Sequence, residues 1–398
     1  MNLGLPEIAP IYCDYAATTP VDRRVADAMH SVLTTDNGFG NPSSSSHRFG
    51  EQANEFVARA ATQLSAALRV DSEQIVWTSG ATEADNLAVL GAARYHSDRR
   101  GHIVCSRIEH KAVVDPVRRL EAQGFPVTWL QPDSEGLITA DALAAALRDD
   151  TVLVSLMWVN NELGTINDIG AFAEVLDGHP AVFHVDAAQA FGKLPIVPLP
   201  SRVDLLALTG HKFYGPKGAG ALVVSKRSGV NLEPLLFGGG QQRGLRPGTL
   251  ATHQIVGLGA AAVLADEHQA EDAQRLSVLG QTLLEGLRDV DGVALNGSLD
   301  QRLPWLVNVS VSGVHGGLLM SAMAPVAVSA GSACNSKDRE PSFVLKAIGL
   351  SDAGASASLR FSLGRPTTSA DVDCVVERFA DAVAMCRNVS GTLAADRP

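Results

Sequence analysis

The sequence predicts an α/β fold, a mostly parallel sheet with helices on both faces, followed by a smaller α+β domain. Three observations carry this. Short apolar runs alternate with amphipathic stretches through the first part of the chain, the pattern of repeated strand–helix units. Polar or glycine-rich turns begin where several of those runs stop. From about Thr252 the texture changes to a long Ala- and Leu-rich stretch, short strands and a closing helix. At 398 residues the chain is too long for one small core.

Ile75–Thr78 reads as a strand leading into a helix over residues 82–93. Residues 102–105 form the next strand, ahead of a helix over 111–123. Further buried strands follow at 151–157, 181–185, 204–208 and Gly220–Val224, each a run too short for a helix. A helical segment then covers 254–287, a strand lies around Leu306–Val311, and a Gly/Ser-rich loop precedes a helix over 370–387. The expected organisation is an N-terminal segment (1–20) packing with the small domain, a large ligand-binding domain (21–255) and a small domain (256–398).

Composition narrows the class. With 46% hydrophobic and 19% charged residues, the chain has an ordinary globular make-up. No apolar run approaches the roughly 18 to 20 residues that span a bilayer, and the N-terminus lacks the basic start and apolar stretch of a signal peptide. A cytoplasmic location without membrane attachment is expected. A net charge of −11 argues against direct nucleic-acid binding, which needs Lys and Arg against phosphate. Five widely spaced cysteines (Cys13, Cys105, Cys334, Cys374, Cys386) make neither a disulfide framework nor a zinc module.

Two strand ends carry the first chemical signal. Asp186 follows the apolar run 181–185, and Lys212 closes Thr209-Gly210-His211-Lys212 after the run 204–208. In α/β sheets that edge binds ligands. An acid for a pyridinium nitrogen and a lysine for a covalent link to its aldehyde are what pyridoxal 5'-phosphate asks of a protein. A lysine desolvated against a strand end has the lowered pKa this needs. For Asp186, a cap on a neighbouring backbone N–H is the other reading.

Other segments add to this edge. Small residues in Thr78-Ser79-Gly80-Ala81-Thr82-Glu83, at a strand-to-helix turn, suit a phosphate; a plain N-cap with Glu83 complementing the dipole is the alternative. Gly238-Gly239-Gly240, near Arg243 and Thr249, is a second phosphate-side loop or simply a tight turn. His110 opens a helix, where it could stack on a cofactor ring and move protons or serve structure. Asn160-Asn161-Glu162 follow another strand. Cys334 lies in a small, polar loop, Ala330-Gly331-Ser332-Ala333-Cys334-Asn335-Ser336-Lys337, which suggests an accessible thiol. Arg360, inside the apolar run Leu359-Arg360-Phe361-Ser362, suits a substrate carboxylate or a structural ion pair.

Together these segments resemble the cysteine desulfurases of the NifS/IscS type, within the class V aminotransferases, from Asp14-Tyr15-Ala16-Ala17-Thr18-Thr19-Pro20 to Arg360-Phe361-Ser362-Leu363-Gly364-Arg365. The pairing of Gly210-His211-Lys212 with Ser332-Ala333-Cys334 is the specific part. The resemblance implies fold type I of the pyridoxal-phosphate enzymes, whose large domain holds a mostly parallel seven-stranded sheet. It implies that Lys212 carries the cofactor covalently, Asp186 pairs with the ring nitrogen, His110 stacks on the ring and Gln189 contacts its hydroxyl. Ala81, Thr82, Thr209 and His211 match phosphate-binding positions, with Thr249 reaching in from the partner of a homodimer. Asn161 and Arg360 match the residues that hold the carboxylate of L-cysteine. Cys334 looks like the nucleophile that takes the sulfur as a persulfide, leaving alanine; no metal is otherwise expected, a transient iron–sulfur contact at Cys334 being left open. The length around Cys334 resembles the group I branch rather than the SufS-like one.

Two departures bear on the sulfur acceptor. Trp158 stands where the housekeeping enzymes carry a smaller polar residue or a histidine. The chain closes at Pro398, soon after Cys386, and the C-terminal tail that engages an iron–sulfur scaffold is expected to be missing. Iron–sulfur cluster assembly, DNA phosphorothioation (a DndA-like role) and tRNA thiolation are therefore all open as destinations of the sulfur. A class V transaminase or a selenocysteine lyase-like β-eliminating enzyme is the alternative on the same fold; a non-catalytic sulfur carrier is the alternative outside catalysis.

Overall fold

The computed structural model of the chain describes residues 10–35, 37–96, 101–330 and 341–395, with side chains as far as 389. The chain begins with a two-residue strand, β1 (Ile11–Tyr12), and two helices, Arg23–His30 and Arg48–Leu68. Seven strands then build the main sheet: β2 (Ile75–Thr78), β3 (His102–Ser106), β4 (Val127–Leu130), β5 (Thr151–Ser155), β6 (Val182–Asp186), β7 (Leu205–Thr209) and β8 (Gly220–Val224). Their order is β2-β8-β7-β6-β5-β3-β4, with β8 antiparallel to both neighbours and the other pairings parallel.

Both faces of this sheet are buried, so its strands read as nearly continuous apolar runs. Side chains alternate between the faces: Val104, Val154, Phe183 and Leu206 pack into one core, Ile103, Leu153, Val182 and Leu205 into the other. The helices Ala81–Tyr95 and Lys111–Ala122 cover the second face. Each fully buried Leu, Val or Phe there contributes about 1.5–3 kcal/mol.

The predicted strand 151–157 ends two residues early, at Ser155. Beyond it the Leu156 and Trp158 N–H groups still donate to the His184 and Asp186 carbonyls of β6, but the Met157 N–H turns to the Glu109 carboxylate instead of a strand carbonyl. The alternation also leaves unspecified that β8 runs antiparallel to its neighbours, and it does not register β4.

The helix Thr252–Arg288 runs 37 residues, and the expected boundary between 255 and 256 falls in its first turn. Past it, β9 (Val293–Leu295), β10 (Leu306–Val311), β11 (Val326–Ala327), β12 (Ser329–Ala330) and β13 (Ser358–Ser362) follow, and the helix Ser369–Ala395 closes the described chain. One sheet has the order β12-β13-β10-β9. β1 pairs in parallel with β11, and Asp14 bridges to Ser362, so the N-terminal segment is tied to the C-terminal region.

Candidate active site

Because β2, β3, β5, β6 and β7 run in one direction, their C-terminal ends share one edge of the sheet. Thr78, Ser106, Ser155, Asp186 and Thr209 are the last residues of those strands. Gly80, His110, Asn161 and the turn Gly210–Lys212 lie just beyond it. This is where open α/β sheets bind ligands.

Lys212 reaches back from that turn to the N-terminal segment, its Nζ donating to the Ala16 carbonyl at 2.5 Å and the Ala17 carbonyl at 2.8 Å. Burial lowers its pKa to about 8; the Arg360 charge adds to this, while Asp186 and Asp14 oppose it. Asp186 is buried at the end of β6, with one oxygen accepting the Ala188 N–H at 2.8 Å. Burial raises its pKa, opposed by that N–H and by the charges of His110 and Lys212. The backbone cap and the field of the amine thus act on one carboxyl group. The backbone-cap reading of Asp186 is seen directly.

The helix Ala81–Tyr95 presents its N-terminus to the same edge with no side chain capping it, since its N-cap is Gly80. Glu83 does not act as a plain dipole partner: it accepts the Ser79 N–H at 2.8 Å and pairs with Arg246 at 2.8 Å, fixing the turn. Gly80 has φ +155°, which L side chains rarely adopt, and a Cβ there would stand 3.5 Å from the Thr209 hydroxyl. Gly220, opposite, lets the turn lie on β8: a Cβ at 220 would meet Gly80 Cα at 2.6 Å. Ala81 and Thr82 form the first turn, with the Thr209 hydroxyl near Gly80; His211 Nδ1 lies 3.2 Å from Thr18 Oγ1. Burial lowers the His211 pKa to about 4, helped by Lys212, Lys217 and Lys193, so its ring is neutral at pH 7.

His110 caps the helix Lys111–Ala122, its Nδ1 accepting the Ala112 N–H at 3.1 Å. Its pKa is lowered by desolvation, with Lys212 in the same direction and Asp186 against. An unprotonated Nδ1 agrees with that bond.

Arg360 lies in β13 and spreads its donors over three elements. Nη1 donates to the Asn161 carbonyl at 2.8 Å, and Nη2 to Asp14 Oδ1 at 2.7 Å and Ser329 Oγ at 2.9 Å. Its Nε is buried and without a hydrogen-bond partner. The structural ion pair and an unspent donor therefore coexist in one guanidinium.

Gln189, expected at the ring hydroxyl, is held within the protein. Its Nε2 donates to the Ala16 carbonyl at 2.8 Å and its Oε1 accepts from Lys193 Nζ. One amide hydrogen is left for a ligand. Thr249 stands exposed ahead of the helix Thr252–Arg288, and no hydrogen bond among the described residues joins it to these groups. Cys334 lies outside the described residues.

Several residues at this edge escaped the sequence reading. Lys193 carries no motif, and Asp14 stands out only as the first residue of the N-terminal segment that carries the family resemblance. Asp85 and Glu109 are fully buried acids under the site, with His184 Nε2 3.4 Å from Asp85 Oδ1 and His184 Nδ1 2.8 Å from Ser155 Oγ. Asp85 sits on the apolar face of its helix, between Ala84 and Ala88, and that break in the pattern is the signal that could have found it.

The donor set fits pyridoxal phosphate: an uncapped helix N-terminus behind glycine for phosphate, a buried acid for the ring nitrogen, and a buried amine with lowered pKa. No helix among the described residues is long and apolar enough to cross a membrane. Among them no group of three or more His, Cys, Asp or Glu could hold a metal. Fold and site together define a pyridoxal-phosphate enzyme of fold type I.

Comparison with known proteins agrees. The family described as Aminotransferase class-V matches residues 11–375. The cysteine desulfurase IscS of Vibrio atlanticus (strain LGP32) is 49% identical over 381 residues, 96% of this chain and 94% of the relative; its counterpart in Vibrio vulnificus (strain YJ016) is 50% identical over the same shares. Among solved structures, a NifS-like protein superposes with a TM-score of 0.87 at 32% identity, over 95% of this chain and all of that one. DndA from Streptomyces lividans gives 0.74 at 39% identity, over 87% and 98%. The chain belongs to the class V aminotransferases, in their cysteine desulfurase branch.

Proposed function

We propose that the protein removes sulfur from L-cysteine, releasing L-alanine and leaving a persulfide on Cys334 that passes to an acceptor protein. The observation that carries this concerns the two ends of the segment that contains Cys334. Ser329, before it, bonds Asp14 and Arg360; Ser342, after it, donates to Glu162 Oε2 at 2.5 Å, next to Asn161. The segment is thus anchored at both ends beside the residues expected to hold the substrate carboxylate. A relative in the solved structures, SspA at 38% identity and a TM-score of 0.78, was determined with cysteine bound.

When bound, pyridoxal phosphate supplies an electron sink that acidifies the substrate Cα–H. The chain's own residues do the rest. Arg360 and Asn161 would hold the substrate carboxylate and fix which Cα bond faces the sink. Lys212 would carry the cofactor covalently, and as a free amine, its pKa lowered to about 8, it would accept or return a proton at Cα near neutral pH. Asp186 would keep a proton at the ring nitrogen, His110 would pack on the ring and move protons, and Gln189 would hold the ring hydroxyl. Ala81, Thr82, Thr209 and His211 would bind the phosphate. The Cys334 thiolate attacks the substrate sulfur, forming an S–S bond as the substrate Cβ–S bond breaks; the bonding pair stays with the carbon fragment, which takes up a proton at Cβ to become alanine.

The functional unit is a homodimer in which Thr249 of one subunit completes the phosphate site of the other. Phe237, 84% exposed, and Leu236 beside it make an apolar loop near Thr249 that a second copy would cover. The location is cytoplasmic. Of the open destinations for the sulfur, iron–sulfur cluster assembly is the one taken here, with relatives named cysteine desulfurase IscS 49% identical over 96% of the chain. Incubation with L-cysteine should yield alanine and, with a reductant, sulfide. Cys334→Ser should abolish both while keeping the yellow cofactor; a serine variant as active as wild type would remove Cys334 from the mechanism.

A further inference from the structure

Lys193 lies in the turn after Gln189 and lines a cavity shared with Lys212, Tyr15, Tyr214, Asp272 and Trp305. It is part of a continuous chain of bonds. Lys193 Nζ donates to Gln189 Oε1, Gln189 Nε2 donates to the Ala16 carbonyl, and that same carbonyl accepts from Lys212 Nζ. A side-chain amide can be turned either way unless its partners fix it. Here the ammonium, which can only donate, claims the oxygen, so the NH2 group must face Ala16 and the ring site.

We propose that Lys193 is a positioning residue for the cofactor pocket: it locks the Gln189 amide with its N–H donors toward the ring hydroxyl, and holds the Ala16 carbonyl under Lys212. This rests on the reading that Gln189 and Lys212 face pyridoxal phosphate. A charge-assisted bond is about twice as strong as a neutral one, which suits a buried lock. Burial lowers the Lys193 pKa to about 7, with Lys212 and Arg360 adding to the shift. Asp272, Tyr15 and Tyr214 are the other titratable groups on the shared cavity, and His211 also senses the Lys193 charge. The lock therefore weakens as pH rises through neutrality.

The test is a double-mutant cycle on the dissociation constant of pyridoxal phosphate, read by absorbance on the full-length protein stripped of cofactor and reloaded. Lys193→Met should weaken binding about tenfold at pH 6.5 and much less at pH 8.5. Gln189→Ala should weaken it comparably, and adding Lys193→Met to Gln189→Ala should cost nothing further. Lys193→Arg, which keeps donor and charge, should restore most of the affinity. Thermal unfolding of the cofactor-free variants separates misfolding from a lost lock, and Lys193→Arg carries the test if the Met variant does not fold. Wild-type affinity in Lys193→Met, or full additivity with Gln189→Ala, overturns the inference while leaving the cofactor reading intact. Failure of the wild type to take up pyridoxal phosphate overturns both.

Discussion

Asp14 Oδ1 accepts a hydrogen bond from Arg360 Nη2 at 2.7 Å, so the arginine expected to bind the substrate carboxylate already carries a carboxylate of the protein. The pair joins the N-terminal segment to β13, and Ser329 donates to the same Asp14 oxygen at 2.8 Å. A substrate anion must approach a guanidinium whose charge is half spent. Asp14→Asn keeps an acceptor but removes the opposing charge. The KM for L-cysteine should fall two- to tenfold, with kcat changed less, in steady-state assays (about 0.4–1.4 kcal/mol). A higher KM would show instead that the Asp14 charge orients Arg360.

Lys212 makes a pH prediction. Its pKa is lowered to about 8, so below that pH the cofactor-free enzyme holds mostly ammonium, which is not nucleophilic. The rate of cofactor uptake should climb about tenfold per pH unit up to that value and then level off. Because the Arg360 charge helps lower this pKa, Arg360→Met should move the plateau to higher pH. Stopped-flow absorbance measures both.

Glu109 makes a stability prediction. Burial pushes its pKa up to about 8, against the help of Ser106 and the Met157 N–H, and the Asp186 charge adds to the rise. Between the ordinary carboxylate range and about 8 the folded protein keeps a proton that the unfolded chain has lost. Stability therefore falls as pH rises across that window. Glu109→Gln, which cannot ionise, should flatten the decline and gain about 1–3 kcal/mol relative to wild type between pH 5 and 8. Urea unfolding over that range checks it; parallel curves would mean Glu109 is ionised in the fold.

Gly220 tests the phosphate turn. A Cβ at 220 would meet Gly80 Cα and the Leu208 carbonyl, each at 2.6 Å, and backbone cannot step aside cheaply. Gly220→Ala should lift the turn at Gly80 off β8, weakening pyridoxal phosphate at least tenfold and costing about 1–3 kcal/mol of stability. Equilibrium dialysis and thermal unfolding read the two effects separately.

Much of the sheet was legible because its strands are buried on both faces, which makes 181–185 and 204–208 unmistakable apolar runs. Asp186 and Lys212 stood out as polar groups at the ends of those runs. The edge strand β4 was missed because its first three residues are only half buried and mix Val, Thr and Trp. The helices Arg23–His30 and Arg48–Leu68 follow turn-rich, polar stretches that hid them. Contacts such as Gln189 with Ala16 or Asp14 with Arg360 depend on chain crossings that no local pattern encodes. Asp14 and Arg360 are 346 residues apart in the chain.

The central claim is that Lys212, Asp186 and Cys334 form one sulfur-transfer site. It is tested most directly by exposing the holoenzyme to one equivalent of L-cysteine, trapping with an alkylating agent and reading every cysteine peptide by mass spectrometry. One additional sulfur on the Cys334 peptide, matched by an equivalent of alanine and absent in Lys212→Ala, is the predicted result. Alanine without sulfur on Cys334, or a keto acid in place of alanine, would contradict it.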